Sequence, residues 1–251
     1  MSRKTDPIGV FDSGVGGISA LQSMIRLLPR EHFIYYGDTK NAPYGTKDTE
    51  EVISYVRHVA GLLLAQQIKA LVIACNTATG AAAATLRREL DIPVIGMEPA
   101  LKPAAELRKN GQILVLATPL TLHQAKFEQL MEKYGTGAVR VPCDGLMELV
   151  EREDSAGAEE YLRKVFGQFD MDLVDAVVLG CTHYVFLKDM IRGMIPERTA
   201  ITEGSEGTAR QLKRVLQRYD LVNETGNGGV TFQTSGTEYD LALMKKLLSK
   251  G

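Results

Sequence analysis

Cys75 closes the apolar run Leu71-Val-Ile-Ala-Cys75-Asn-Thr77, and Cys181 closes the matching run Val177-Val-Leu-Gly-Cys181-Thr-His183. The same spacing, to within a residue, separates Ile8–Phe11 from Ile113–Leu116, so the chain reads as two similar halves with one cysteine at the equivalent point of each. Small polar groups follow both thiols: Asn76, Thr77 and Thr79 after the first, Thr182 and His183 after the second. If the halves face one cleft, a thiol stands on each side of it. That arrangement suits inversion of a carbon stereocentre, because one base takes a proton from one face while its partner delivers a proton to the other. One cysteine must then be thiolate while the other is thiol. An unperturbed thiol titrates near about 8.5, so each needs a neighbouring base, cation or helix N-terminus. Asp12 is placed to serve Cys75, and His183 to serve Cys181.

Each of these residues also has a plainer reading. A cysteine that ends an apolar strand is commonly a small buried hydrophobe. Asp12, in Asp12-Ser13-Gly14-Val15-Gly16-Gly17, is either the N-cap of the following helix or a group that handles protons. The glycines after it let backbone N–H groups approach an anion at a helix N-terminus, although the run is neither GxGxxG nor a P-loop. The loop Gly37 to Lys47, with Pro43-Tyr44-Gly45 at its centre, is long for such a connection and rich in polar groups that bind as well as bend. Taken alone, His183 reads as a surface residue. Cys143 has no counterpart in the other half and reads as a packing residue.

Short apolar segments alternate with amphipathic ones. Strands are predicted at Ile8–Phe11, His32–Tyr36, Leu71–Ala74, Ile113–Leu116, Ala138–Val141, Ala176–Leu179 and Val230–Thr234. Helices are predicted over 18–28, 49–67, 77–90, from the turn at 117–119 to Tyr134, 156–169 and 239–248. Strands that alternate with helices imply parallel sheets covered on both faces, with ligands gathered at the carboxyl ends of the strands. Both cysteines stand at such ends.

The chain has 251 residues, 45% of them hydrophobic and 24% charged, with a net charge of −2. A chain of this length buries about 70 to 75% of its unfolded surface and needs no disulfide or metal staple. Three cysteines without a CxxC pair read as free thiols in a reducing compartment. Cys181 and His183 lack the spacing of metal ligands. The near-neutral balance argues against a nucleic-acid surface, and the most basic stretch, Arg210, Lys213, Arg214 and Arg218, has the spacing of a solvated helix face. The apolar runs are far shorter than the roughly 20 residues of a membrane span, and Met1 to Pro7 is polar and charged rather than a signal peptide, so a cytoplasmic protein is expected.

Five motifs in order, FDSGVGG at 11–17, YYGDTKNAPYG at 35–45, ACNTAT at 74–79, GMEPALKPA at 96–104 and GCTHY at 180–184, resemble those of the cofactor-independent glutamate racemases over nearly the whole chain. The resemblance implies two pseudo-symmetric, doubly wound α/β domains with mainly parallel sheets and the active site in the cleft between them. It places the first domain at 1–97 plus 208–251 and the second at 98–207. It implies interconversion of L- and D-glutamate without cofactor or metal, supplying D-glutamate for peptidoglycan, by a homodimer that needs neither membrane nor nucleic acid. Cys75 would be the base toward D-glutamate and Cys181 the base toward L-glutamate. Asp12, Ser13, Tyr44, Gly45, Asn76, Thr77, Thr182 and His183 would line the substrate, and Glu151 would be the acidic partner on the Cys181 side. After GCTHY the family usually continues with proline and leucine. Here stand Val185 and Phe186, a change that bears on cleft shape rather than on the thiol.

Three other readings share these residues. One is a racemase of another acidic amino acid, such as aspartate. A second is a bilobal ligand-binding module with buried, inert cysteines. The third is a hydrolase with Cys181 as nucleophile and His183 as base, which leaves Cys75 without a role.

Overall fold

The computed structural model describes residues 3–249; Met1, Ser2, Lys250 and Gly251, which belong to the polar start and to the outer ends of the expected first domain, lie outside the described residues. The strands are β1 (Ile8–Asp12), β2 (His32–Gly37), β3 (Ala70–Ile73), β4 (Val94–Gly96), β5 (Gln112–Ala117), β6 (Ala138–Pro142), β7 (Val174–Leu179), β8 (Ala200–Glu203) and β9 (Gly229–Thr234). They form two sheets, β4-β3-β1-β2-β9 and β6-β5-β7-β8, and every pairing is parallel.

The two sheets repeat one plan. Replacing β1, β2, β3 and β4 by β5, β6, β7 and β8 converts the order β2-β1-β3-β4 into β6-β5-β7-β8. Cys75 follows β3 and Cys181 follows β7, so the two cysteines leave equivalent inner strands. The C-terminal β9 returns to the first sheet and pairs with β2.

The helices are α1 (Ile18–Leu27), α2 (Thr49–Leu64), α3 (Asn76–Glu89), α4 (Leu101–Leu107), α5 (Pro119–His123), α6 (Ala125–Tyr134), α7 (Leu146–Glu151), α8 (Ser155–Phe166), α9 (Lys188–Arg192), α10 (Ser205–Arg218) and α11 (Glu238–Ser249). Each sheet is covered on both faces. Ile8, Val10 and Tyr35 face a core shared with α1, α10 and α11, whereas Phe11, Ile34 and Ile73 face α2 and α3. In the second half Leu114 and Val177 pack toward α7 and α8, and Ile113 and Val178 toward α4 and α6. Inner strands buried on both faces explain the continuous apolar runs.

Differences from the sequence reading have local causes. The helix expected to reach residue 67 ends at Leu64, and Gln67 takes a left-handed φ of 58° that closes the turn into β3. The helix expected to run unbroken to Tyr134 is interrupted at Gln124, whose extended backbone separates α5 from α6. Phe186, in place of the usual leucine, crosses from the second half to pack against the core of the first. No helix among the described residues is long and apolar enough to cross a membrane.

Candidate active site

The carboxyl ends of the two sheets meet, and the residues singled out by type and spacing converge there. β1 delivers Asp12, which has no exposed surface. Its Oδ1 accepts the Gly14 N–H at 2.8 Å and its Oδ2 accepts the Thr182 hydroxyl at 3.1 Å. The helix-cap reading of Asp12 does not hold: α1 is capped by Gly17 without a side-chain hydrogen bond. The carboxylate instead turns its own loop and reaches across to the second half.

Cys75 is itself the N-cap of α3, where its Sγ accepts the Ala78 N–H at 3.4 Å, and the Ser13 hydroxyl lies 3.5 Å away. Burial pushes the Cys75 thiol up to about 12, the nearby Asp12 charge and a charge on Cys181 add to it, and the Ala78 and Ser13 contacts only partly offset it. The influence of Cys181 on Cys75 means that both thiols lie within electrostatic reach of each other. Asp12 is likewise raised above the ordinary carboxylate range by burial, against the opposing pull of His183 and the two hydrogen bonds it accepts.

On the other side Cys181 Sγ lies 3.8 Å from His183 Nδ1, and His183 Nε2 lies 3.0 Å from Glu151 Oε1. His183 is 1% exposed, which corrects the surface reading. Burial opposes its charge, but the contacts to Cys181 and Glu151 outweigh that penalty and hold it well above its ordinary value. A protonated imidazole donates from both ring nitrogens, here toward a carboxylate and a sulfur. Glu151 closes α7, a helix that the sequence reading passed over.

The two loops touch so closely that only glycine fits. A Cβ on Gly14 would stand 2.3 Å from Glu151 Oε1, and one on Gly16 would stand 2.4 Å from Thr182 Oγ1 and 2.5 Å from His183 Nδ1. The glycines of the first motif therefore serve close approach of the two halves.

A second cluster joins the halves beside the thiols. The Thr77 hydroxyl lies 3.0 Å from that of Thr118 and 2.9 Å from that of Thr121, while Thr118 and Thr121 are 3.0 Å apart. Gln124 crosses the same seam and donates to the Thr77 carbonyl at 2.9 Å. Thr118, Thr121 and Gln124 escaped the sequence reading. The repeat held the signal, since Thr118 follows β5 as Asp12 ends β1.

Asn76 Oδ1 is buried without a hydrogen-bond partner among the described residues. Tyr44 is buried, with its hydroxyl donated to Asp38 Oδ2 at 2.6 Å and its ring stacked on Tyr55. Gly45 packs against Thr118, where a Cβ would stand 2.6 Å from the threonine Cβ. Cys143 is buried and its carbonyl accepts the Tyr184 hydroxyl. Among the described residues no group of three or more His, Cys, Asp and Glu side chains is arranged to hold a metal ion.

The sequence pattern of the Asp/Glu/Hydantoin racemase family matches residues 8–211. The chain is 53% identical over 228 residues to the glutamate racemase of Clostridium acetobutylicum, with 89% of each chain covered. A glutamate racemase isoform of Bacillus anthracis superposes with a TM-score of 0.89 at 33% identity, covering 98% of this chain and 95% of that one. The Francisella tularensis glutamate racemase, solved in complex with D-glutamate, gives a TM-score of 0.84 at 29% identity, covering 98% and 94%. By its matched sequence pattern, its relatives and its paired sheets, the chain belongs to the Asp/Glu/Hydantoin racemase family.

Proposed function

We propose that this chain interconverts L- and D-glutamate by moving protons at Cα between Cys75 and Cys181, without a cofactor. One observation carries the reading: two thiols on equivalent strand ends of two equivalent sheets reach one buried site, Cys75 within the field of Asp12 and Cys181 beside the His183–Glu151 pair. Relatives named as glutamate racemases support glutamate as the substrate.

In the D-to-L direction the Cys75 thiolate removes the Cα proton and the Cys181 thiol delivers its proton to the opposite face, leaving Cys75 as thiol and Cys181 as thiolate. The reverse reaction exchanges these roles. A thiol raised to about 12 is a proton donor at neutral pH, and its thiolate is a correspondingly strong base toward a weakly acidic C–H bond. Asp12, its own proton affinity raised by burial, accepts the Cys75 proton when that thiol must ionise. Glu151 and His183 do the equivalent work on the other face.

The carbanion and the substrate charges need donors and acceptors fixed in advance in a dry site. The hydroxyls of Thr77, Thr118 and Thr121 form a compact donor set for one carboxylate. Ser13, Thr182 and the Tyr44–Gly45 turn complete the lining. Asn76 Oδ1, a buried acceptor, is suited to the substrate ammonium. Nearly all these groups are buried, so the halves separate to admit substrate and close around it.

The same reading divides the chain into domains of 1–97 plus 208–251 and 98–207. Met97 packs with the first core and Leu101 with the second. Ser205 at the start of α10 contacts Ser19 of α1, so moving the return crossing to the bend at Gly204 keeps α10 whole. On this reading the chain is also a cytoplasmic homodimer whose product supplies peptidoglycan, and sedimentation of the purified chain tests the dimer. Racemisation of either glutamate enantiomer by purified protein tests the activity; turnover of aspartate but not glutamate would redirect it.

A further inference from the structure

We propose that Tyr35 is a positioning residue for proton transfer, holding the Ser13–Gly17 turn at the height at which Asp12 and Ser13 meet both Cys75 and the second half. This inference rests on the racemase reading above. Tyr35 stands on β2 with no exposed surface, and its hydroxyl donates to the Gly14 carbonyl at 2.9 Å. Gly17, at the far end of the turn, packs on the same phenol, where a Cβ would stand 3.0 Å from the Tyr35 oxygen. Gly14 donates its own N–H to Asp12 Oδ1. Tyr35 and Asp12 thus hold opposite sides of a single residue.

The turn is a thin layer between two rigid surfaces. Below it, a Cβ on Gly37 would stand 2.6 Å from the Gly14 carbonyl oxygen. Above it, Cβ atoms on Gly14 or Gly16 would strike Glu151, Thr182 or His183. Its height fixes the 3.1 Å bond from Thr182 to Asp12 and the 3.5 Å approach of Ser13 to Cys75. Tyr35 does not exchange protons itself: burial, then the charges of Asp12, Glu151 and Cys75, hold its hydroxyl far above the ordinary phenol range. It acts by geometry and by its dipole.

The variant Tyr35→Phe removes one oxygen and keeps the ring. Displacement of a reacting group by a fraction of an ångström costs rate more than binding, so kcat is expected to fall about tenfold or more in both directions, with KM within about twofold of wild type. The groups facing Asp12 are Cys75, Glu151, His183, the Thr182 hydroxyl and Tyr35. Only the last changes. Without it the Gly14 N–H holds the carboxylate less firmly, so Asp12 protonates more readily and the acid limb of the rate profile moves to higher pH. Tyr36→Phe, on the opposite face of β2, is the control, expected to keep the wild-type kcat and pH profile.

Rates in both directions, pH profiles and melting temperatures of wild type and both variants make the test. Tyr35→Phe with wild-type kcat and an unmoved acid limb, whatever its melting temperature, would overturn the proposal. So would an equal loss in Tyr36→Phe. A wild-type chain inert toward both glutamate enantiomers would remove the racemase reading, and this inference with it.

Discussion

The Thr182 hydroxyl donates to Asp12 Oδ2 across the seam between the two sheets, at 3.1 Å. A carboxylate at the end of β1 is thereby tied to the residue that follows Cys181, and the groups around each thiol are complete only when the halves are closed. Closure also excludes water, which strengthens every charge interaction inside the site.

Asp12→Asn tests the proton relay on the Cys75 side. The amide keeps the shape of the group but cannot accept a proton, so kcat should fall by about a hundredfold or more while KM changes little. Steady-state kinetics in both directions check this. Unchanged turnover with a lowered melting temperature would make Asp12 an architectural residue.

Glu151→Gln removes the carboxylate that supports the His183 charge. The imidazole then loses its proton at lower pH, and because Cys181 is the base from L-glutamate and the acid from D-glutamate, kcat/KM should fall about tenfold or more in both directions alike. The histidine pKa is raised in the folded state, so its stabilisation is complete below about pH 6.5 and is lost as pH rises through the raised value. Melting temperature should therefore decline toward alkaline pH in wild type, and less steeply in the variant. Equal slopes would contradict the assignment.

Thr121→Val removes one corner of the hydroxyl triangle while preserving size. If the triangle holds a carboxylate of the substrate, KM should rise about tenfold, one lost hydrogen bond to a charged group, with a smaller effect on kcat. An unaltered KM would return the three threonines to a purely interdomain role.

Lys69→Met separates stability from chemistry. Lys69 and Glu31 form a buried ion pair near the start of β3, and Glu31 also accepts the Asn223 N–H. Removing one partner leaves a buried charge uncompensated, a loss of about 3 to 5 kcal/mol. Chemical denaturation should report that loss, with kcat per folded molecule unchanged because the pair lies at the end of the sheet opposite the thiols.

What the sequence disclosed follows from where information is local. Cys75 and Cys181 were legible because each ends a run of buried apolar residues, and the repeat gave both the same address. β4 and β8 were not, because each is an edge strand of only three or four residues without the buried apolar run that marks the inner strands. Thr118 and Thr121 were hidden because their partner Thr77 is distant in sequence, and three hydroxyls acquire meaning only when the sheets face each other. Lys69 and Glu31 were illegible for the same reason: nothing near either residue announces the other.

The central claim is that each thiol serves one face of the same carbon. Purified protein, without added cofactor, is incubated in deuterated water with L-glutamate and, separately, with D-glutamate, and Cα deuterium is followed in each enantiomer from the earliest turnovers. The account predicts that the newly formed enantiomer carries deuterium in both directions while unreacted substrate stays largely protiated. Deuterium entering substrate and product equally from the start would indicate one base working on both faces, and its absence from both would contradict proton transfer altogether.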